Sequence, residues 1–204
     1  MRIKILLFAA IAATTVGLIT DRAAESGTSN GPEYTKDDQL QLPSHYREWI
    51  FLSSGLGMFY GPAENLSADR AQMFDNVFVT PDAYRSFLQT GKWPEKTMFV
   101  LEVRRAASKG SINNAGHYQS DVEGVEVEVK DSSRFSGNGW AFFGFGKSSV
   151  AKMIPTTATC YTCHPTRGAV DNTFVQFYPT LLPIAKQKGT LNPAYVAAAA
   201  AEGH

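Results

Sequence analysis

The chain has 204 residues, of which 44% are hydrophobic, and its 19 basic and 19 acidic side chains leave it with no net charge. This length and composition are sufficient for one domain with a substantial hydrophobic core. A neutral chain lacks the basic field that nucleic-acid binding requires and has no polybasic patch for a membrane surface, so we expect no nucleic-acid partner.

The first twenty residues have the pattern of an export signal. Arg2 and Lys4 form a short positive region, and the apolar run that follows, Ile5 to Ile19, is short for a membrane span. The signal can extend to residue 24, and an uncleaved N-terminal anchor is the alternative. Export predicts a periplasmic location. Residues 21–41 are polar and rich in Gly, Ser, Asp and Glu, which is typical of a flexible leader.

The next segment contains signals for two helices and a strand. Ser44 precedes apolar residues with helical spacing, which predicts a short helix over residues 44–52. Residues 75–79, Asp-Asn-Val-Phe-Val, are typical of a buried strand. Thr80-Pro81 is a helix start and Gly91 a helix stop, so a helix is predicted between them.

Three further strands are predicted in the second half of the chain. In residues 97–105, alternation places Phe99, Leu101 and Val103 on one face. Residues 125–130 alternate valine with charged residues, so we expect the valines to face the core and the charges to face solvent. The aromatic run over residues 140–145 follows a Gly-Asn-Gly turn and predicts another strand.

The sequence Cys160-Tyr161-Thr162-Cys163-His164 follows these strands and contains the two cysteines of the chain. Cys-x-x-Cys-His is the attachment motif for c-type haem. Each thiol can add to one haem vinyl group, and the adjacent histidine can supply an imidazole nitrogen to the iron. We therefore predict one covalent haem c with His164 as the metal ligand. A disulfide, a thioredoxin-like pair and half a zinc site are the alternatives.

This order of elements also predicts the fold. Residues 174–179 lead into a last helix near 180–188, and residues 191–204 form a tail. An electron-transfer cytochrome c is helical with its motif near the N-terminus, and a helical cytochrome c′ has long helices before the motif. Here strands precede it, so we predict an α+β domain over residues 42–190. Its mostly antiparallel sheet carries packed helices and a C-terminal haem motif.

The arrangement resembles the cytochrome P-460 family and its relative cytochrome c′-beta over about residues 42–188. The residues that carry the resemblance are Leu42-Pro43-Ser44-x-Tyr46-Arg47-x-Trp49, the helix at 81–90, Trp93-Pro94-Glu95 before a strand, the aromatic strand at 139–145, the haem motif, and Phe174-Val175-Gln176-Phe177-Tyr178-Pro179. The resemblance implies a mostly antiparallel β-domain, usually a homodimer, with one five-coordinate c-type haem. Its enzyme members oxidise hydroxylamine and carry a lysine–haem cross-link, whereas c′-beta members bind nitric oxide and carbon monoxide.

Two departures from the enzyme members bear on activity. The cross-linking lysine is expected in the strand after Trp-Pro-Glu, where this chain has Leu101. The enzymes also carry a carboxylate shortly before the haem motif, and residues 152–159 contain no acid. Both departures favour a protein that binds nitric oxide or a related small nitrogen-oxide ligand. Hydroxylamine oxidation and simple electron transfer to a redox partner protein remain the alternatives.

The remaining candidate residues concern the haem surroundings. We expect an apolar wall over the iron that leaves its sixth position open, and we expect an arginine to pair with the haem propionates because guanidinium matches carboxylate. The wall candidates are Phe99, Leu101, Phe142, Phe143 and Phe145, and the propionate candidates are Arg104 and Arg105.

Overall fold

The structure is a computed structural model of the chain, and it describes residues 30–202. The predicted export signal over residues 1–20 lies outside the described residues, as does the leader up to residue 29. Within residues 30–202, no helix has both the length and the apolar character needed to cross a bilayer.

A five-stranded antiparallel sheet forms the centre of the domain, and a two-stranded sheet lies beside it. In chain order the strands are β1 (Leu40–Gln41), β2 (Ile50–Leu56), β3 (Met73–Val79), β4 (Met98–Ala107), β5 (Tyr118–Lys130), β6 (Trp140–Gly144) and β7 (Val150–Ala151). Strands β2 to β6 lie side by side in chain order, and β1 pairs with β7. Strands that follow one another in the chain are therefore also neighbours in the sheet, which is common because consecutive elements usually lie side by side.

Helices flank the sheet and complete the predicted α+β architecture. The α-helices are α1 (Pro81–Thr90), α2 (Cys160–Arg167), α3 (Leu182–Lys188) and α4 (Pro193–Glu202). Short 3-10 helices occupy Tyr46–Glu48, Ala63–Asn65, Arg70–Gln72 and Val175–Phe177. The α+β prediction is confirmed, and the cysteine motif lies on α2.

Helix α1 forms where its start and stop residues predict it. Pro81 occupies the first turn, and Gly91 ends the helix with a left-handed φ of 69°, a conformation that glycine adopts without a Cβ penalty. Thr80 occupies the N-cap position, but its side chain makes no capping hydrogen bond. Phe87 and Ala83 are buried and fix the inner face of the helix against the domain.

The helix predicted over residues 44–52 is wrong. Only Tyr46–Glu48 is helical, as a single 3-10 turn, and Ile50 already begins β2. Ile50 pairs with Val79 at the far end of β3. The spacing of apolar residues in this short segment fits either element, and pairing with a buried strand decides in favour of the strand.

The predicted leader is shorter than expected at its C-terminal end. Leu40 is fully buried in the second core, and the Tyr34 ring packs against Phe143 and under the guanidinium of Arg134. Leu40 also pairs with Ala151 as part of β1 and β7. Although the segment is mostly polar, Tyr34 and Leu40 attach it to the domain.

The large sheet separates two hydrophobic cores. Phe99 on β4 points to the first core, which also contains Phe87 of α1, Trp93, and Leu181 beside α3. Met98 and Val100 point to the second core together with alternate valines of β5. Because successive side chains of a strand face opposite sides, the face that carries Phe99 also carries Leu101, and this face forms the floor of the candidate site.

Candidate functional site

Helix α2 brings the three residues of the haem motif to one side. Cys160, Cys163 and His164 are three and four residues apart, which places them on neighbouring positions of a helical face. The helix starts after Thr159, whose carbonyl accepts a 2.9 Å hydrogen bond from the Cys163 amide. Both thiols are free, and all three side chains line the same cavity. The sequence motif is therefore assembled as a spatial cluster.

The cavity has a volume of about 640 Å³ and lies between α2 and one face of the five-stranded sheet. Its wall is mostly carbon. The aliphatic and aromatic residues that line it include Val77, Phe99, Leu101, Phe142, Ile154, Phe174, Phe177 and Tyr178. A largely apolar cavity with a few polar groups is typical of a cofactor site.

One ring nitrogen of His164 is committed to the backbone. Its Nδ1 lies 2.8 Å from the carbonyl oxygen of Asn172 and 3.4 Å from Oε1 of Glu128. A single N–H cannot serve both acceptors fully, and the shorter contact to Asn172 is the hydrogen bond. Nδ1 is then the donor, which leaves Nε2 unprotonated and available for a metal. The rings of Phe142 and Phe174 hold the imidazole, each with its centroid 4.5 Å away.

Burial and charge act in opposite directions around this histidine. Burial lowers the pKa of His164, but the Glu128 carboxylate and the Asn172 carbonyl outweigh it, so the pKa lies above its usual value. Burial raises the pKa of the Glu128 carboxyl, and the histidine opposes that shift. The Glu128 carboxylate and the Asn172 carbonyl both increase the electron density of the His164 imidazole. A ligand that donates to iron requires this character.

The prediction that the charges of residues 125–130 face solvent is wrong for Glu128, whereas Glu126 is exposed at the cavity. Glu126 and Glu128 both line the cavity, opposite the buried Val127 side of β5. The Glu128 side chain is only 12% exposed. Burial, and then the negative charge of Asp75, raise the pKa of Glu126. The outward face of this strand is thus the cavity face, which supplies the carboxylates that residues 152–159 lack.

The arginine of the cavity wall is Arg70, and the predicted Arg105 lies elsewhere. Arg70 forms an ion pair with Asp75, and both residues line the cavity. The guanidinium of Arg105 is held by Asp69 and Glu123, at 2.8 and 2.7 Å. Arg105 does not line the cavity, and its guanidinium is already bound by these two carboxylates.

Arg104 is engaged on the opposite face of the sheet. Its guanidinium pairs with the buried carboxylate of Glu102, which also binds Tyr46 and Arg47. Glu102 shares its sheet face with the second core and has no access to the cavity. This network is structural.

The predicted wall residues divide between the two faces of β4 and β6. Phe99 and Leu101 line the cavity, as does the Phe142 ring that contacts His164. Phe143 also lines part of the cavity, but its side chain is buried in the second core. Phe145 also lies in that core. Strand alternation separates Phe142 from Phe143, so only the former presents its ring to the histidine.

Several aromatic side chains that line the cavity are also exposed. Phe59, Tyr60 and Phe177 are 39%, 62% and 41% exposed, and all three line the cavity. Tyr60 stacks on Phe174 with ring centroids 5.8 Å apart. Apolar groups left open in this way favour a flat apolar occupant. With two thiols and a histidine on the wall, the residues present fit a haem.

Some of these residues have no clear signal in the sequence. Asn172 acts through its backbone carbonyl, and Arg70 lies in a 3-10 turn without a motif. The glutamates Glu126 and Glu128 had a signal: they alternate with buried valines, and strand pairing opposite Leu101 and Phe99 shows which face they share.

The fold and the site together define a haem-binding α+β cytochrome domain. The family model described as Cytochrome P460 matches residues 43–175, which is most of the chain, and the chain belongs to that family. It is therefore a haem cytochrome of the cytochrome P460 family. No curated protein matches the chain significantly.

Proposed function

We propose that this protein is an exported mono-haem c-type cytochrome whose five-coordinate haem binds nitric oxide or a related small nitrogen-oxide ligand. The observation that carries the proposal is the arrangement of His164. Its Nδ1 is tied to Asn172, its free nitrogen belongs to a mostly apolar cavity, and two free thiols lie on the same helix face. Haem iron with one vacant position supplies the capacity to bind small diatomic ligands.

The chain's own residues would hold the group as follows. Cys160 and Cys163 would form the thioether bonds, and His164 would supply the proximal nitrogen. Among the described residues that line the cavity, Arg70 is the one with a lysine or arginine side chain, so we assign it to a haem propionate. Asp75 would orient the Arg70 guanidinium through their ion pair. Phe99 and Leu101 would exclude water from the cavity floor.

Hydroxylamine oxidation is the second candidate, and one observation favours it. The cavity does contain carboxylates, because Glu126 and Glu128 enter it from β5. The described residues that line the cavity nevertheless include no lysine, and Leu101 occupies the position where the cross-link is expected. The absence of that amine from the wall makes ligand binding the better supported function.

Electron transfer to a partner protein is the third candidate, and it rests on Met58. The Met58 side chain lines the cavity and packs closely on Gly55 of β2. A thioether in the wall can serve as a sixth ligand to haem iron. Replacing Met58 with Leu keeps the volume and removes the sulfur. If M58L leaves the absorption spectrum unchanged, ligation of the iron by Met58 is excluded.

The visible spectrum of the holoprotein tests these functions together. We expect high-spin ferric and ferrous forms, with a ferrous Soret band that shifts when carbon monoxide is added. A low-spin ferric spectrum with a sulfur-to-iron band would replace this proposal with electron transfer. A ferrous band displaced far to the red would indicate a lysine cross-link and would make hydroxylamine oxidation the leading function.

The covalent attachment has a separate test. In the wild type, haem should stay with the polypeptide in acid acetone, whereas replacing both Cys160 and Cys163 with Ala should make it extractable. Haem that remained bound in the double variant would contradict the assignment. A periplasmic location and a homodimer also belong to the proposal, and they are checked by cell fractionation and by the solution mass of the purified protein.

A further inference from the structure

The carbonyl that binds His164 belongs to a tight turn between α2 and the last 3-10 helix. We call residues 168–173 the proximal loop. Within it, the Thr173 amide donates to the Val170 carbonyl at 2.9 Å, and the Thr173 hydroxyl donates to the same carbonyl at 2.8 Å. Asp171 adopts a φ of 50° at the tip of the turn. This closure directs the next carbonyl, that of Asn172, to the His164 ring.

The turn is attached to a distant part of the chain through one side-chain hydrogen bond. The indole Nε1–H of Trp93 donates to the Thr173 hydroxyl at 2.8 Å, across 80 positions of sequence. Trp93 is 2% exposed and Thr173 is 1% exposed, so water does not compete for this bond. Trp93 is itself fixed between the rings of Phe87 and Phe99.

Other contacts support the loop but leave this bond as its inner anchor. Gln176 accepts a hydrogen bond from the Ala169 amide at 3.0 Å, and the Asn192 amide donates to the Ala169 carbonyl at 2.8 Å. Lys130 reaches Asp171 at 3.2 Å from the sheet side. These contacts hold the start and the tip of the loop, whereas the hydrogen bond from Trp93 holds Thr173, the residue that follows Asn172.

We propose that Thr173, held by Trp93, is a positioning residue that sets the proximal hydrogen bond of His164 and thereby the electron donation of its imidazole to haem iron. The inference rests on the proposed function, because it requires His164 to be the proximal ligand. A hydrogen bond from Nδ1–H raises the basicity of a ligating imidazole and stabilises the ferric state. Loosening the loop therefore favours the ferrous state.

The main test compares T173V with T173S in the holoprotein. Valine keeps the shape and removes the hydroxyl, so it releases both Trp93 and the turn, whereas serine keeps the hydroxyl. We expect T173V to retain covalent haem but to shift the ferric–ferrous equilibrium about tenfold towards ferrous, a rise of about 59 mV for one electron. The iron–histidine stretching frequency in resonance Raman should fall, and T173S should restore both values.

T80V is the matched control. Thr80 is also buried, at 3% exposed, but its side chain makes no capping hydrogen bond and it does not belong to the proximal loop. We expect T80V to leave the potential and the Raman frequency unchanged. Equal shifts in T80V and T173V would overturn the inference, because the effect would then follow from replacing any buried threonine.

The outcomes separate this inference from the proposed function. A wild type without covalent haem or without an iron–histidine band contradicts the proposed function. A wild type with both, and a folded T173V with unchanged potential and frequency, overturns the inference alone. If T173V does not fold, W93F decides the matter, since it removes the indole donor and keeps the Thr173 hydroxyl. A smaller shift in the same direction supports the inference, and no shift overturns it.

Discussion

Leu101 on β4 and Glu126 on β5 are paired directly across the sheet, and both line the cavity. Their side chains share one face, since paired residues of antiparallel strands point to the same side. Leu101 occupies the position where the resemblance places a cross-linking lysine. An amine introduced at position 101 would therefore lie on the same face as the paired Glu126 carboxyl.

The first prediction concerns that amine. In L101K we expect the new ammonium group to pair with Glu126, which keeps it protonated and unreactive. The double variant L101K/E126Q removes the carboxylate and should form more lysine–haem cross-link when treated with peroxide. Mass spectrometry of proteolysed protein measures the linkage, as a peptide containing residue 101 joined through haem to the peptide of Cys160 and Cys163.

E126Q alone is the control for the double variant, since it removes the carboxylate without adding an amine. It should show no added linkage. If both lysine variants resist linkage, the side chain of residue 101 does not face the haem edge. The assignment of Leu101 to the cross-link position would then be wrong.

The second prediction concerns the propionate partner. Replacing Arg70 with Gln removes a positive charge from the cavity wall and leaves Asp75 without its ion-pair partner. Lost positive charge near the haem disfavours the reduced state, so the reduction potential should fall. R105Q is the matched control, because Arg105 is held by Asp69 and Glu123, and its potential should equal that of the wild type. Spectroelectrochemistry measures both, and equal shifts would contradict the role of Arg70.

Elements with strong local chemistry were predictable from the sequence. Pro81 and Gly91 delimit α1 as expected, and the valines of residues 125–130 face a core. The helix predicted over residues 44–52 failed because its few apolar residues fit a strand equally well. Its true state depends on β3, which lies more than twenty residues further along the chain.

The candidate site was predictable where a motif defines it. Cys160, Cys163 and His164 form a cluster because one helix carries them. Arg70 and Asn172 belong to irregular segments whose positions depend on tertiary contacts, so no local pattern reveals them. The sequence placed Arg105 near the haem for a related reason, since it does not show that Asp69 and Glu123 bind this guanidinium away from the cavity lining.

The third prediction concerns how the free energy of unfolding depends on pH through the buried Glu102 carboxylate. Burial raises the pKa of this carboxyl, but hydrogen bonds from Arg104, Tyr46 and Arg47 outweigh it, so the pKa lies below its usual value. The native state therefore binds the proton more weakly than the unfolded state, and the stabilisation is present at neutral pH and lost as the pH falls through the folded-state pKa. E102Q should lower the free energy of unfolding at pH 7 by about 2 kcal/mol.

Urea unfolding at several pH values measures this effect. The difference between wild type and E102Q should stay constant above about pH 5 and shrink as the pH falls below the usual carboxyl pKa of 4.5, because the wild-type carboxyl then becomes neutral. E48Q is the control, since Glu48 is exposed and its ion pair within residues 30–202 is with the exposed His45. A difference that stays constant with pH would show that packing, and not charge, explains the effect of E102Q.

The last prediction concerns the close approach of the proximal loop to α2. A Cβ on Gly168 would lie 2.7 Å from the His164 carbonyl oxygen and 2.9 Å from the Asn172 carbonyl carbon. The φ of Gly168 is −68°, so contact and not backbone conformation makes the glycine necessary. G168A should cost about 1–3 kcal/mol in thermal or urea unfolding. In G124A the nearest atom lies 3.9 Å away, and that variant should be at least as stable as wild type. Equal stability of the two variants would show that the loop can move away from α2, and the orientation of His164 would then not depend on this contact.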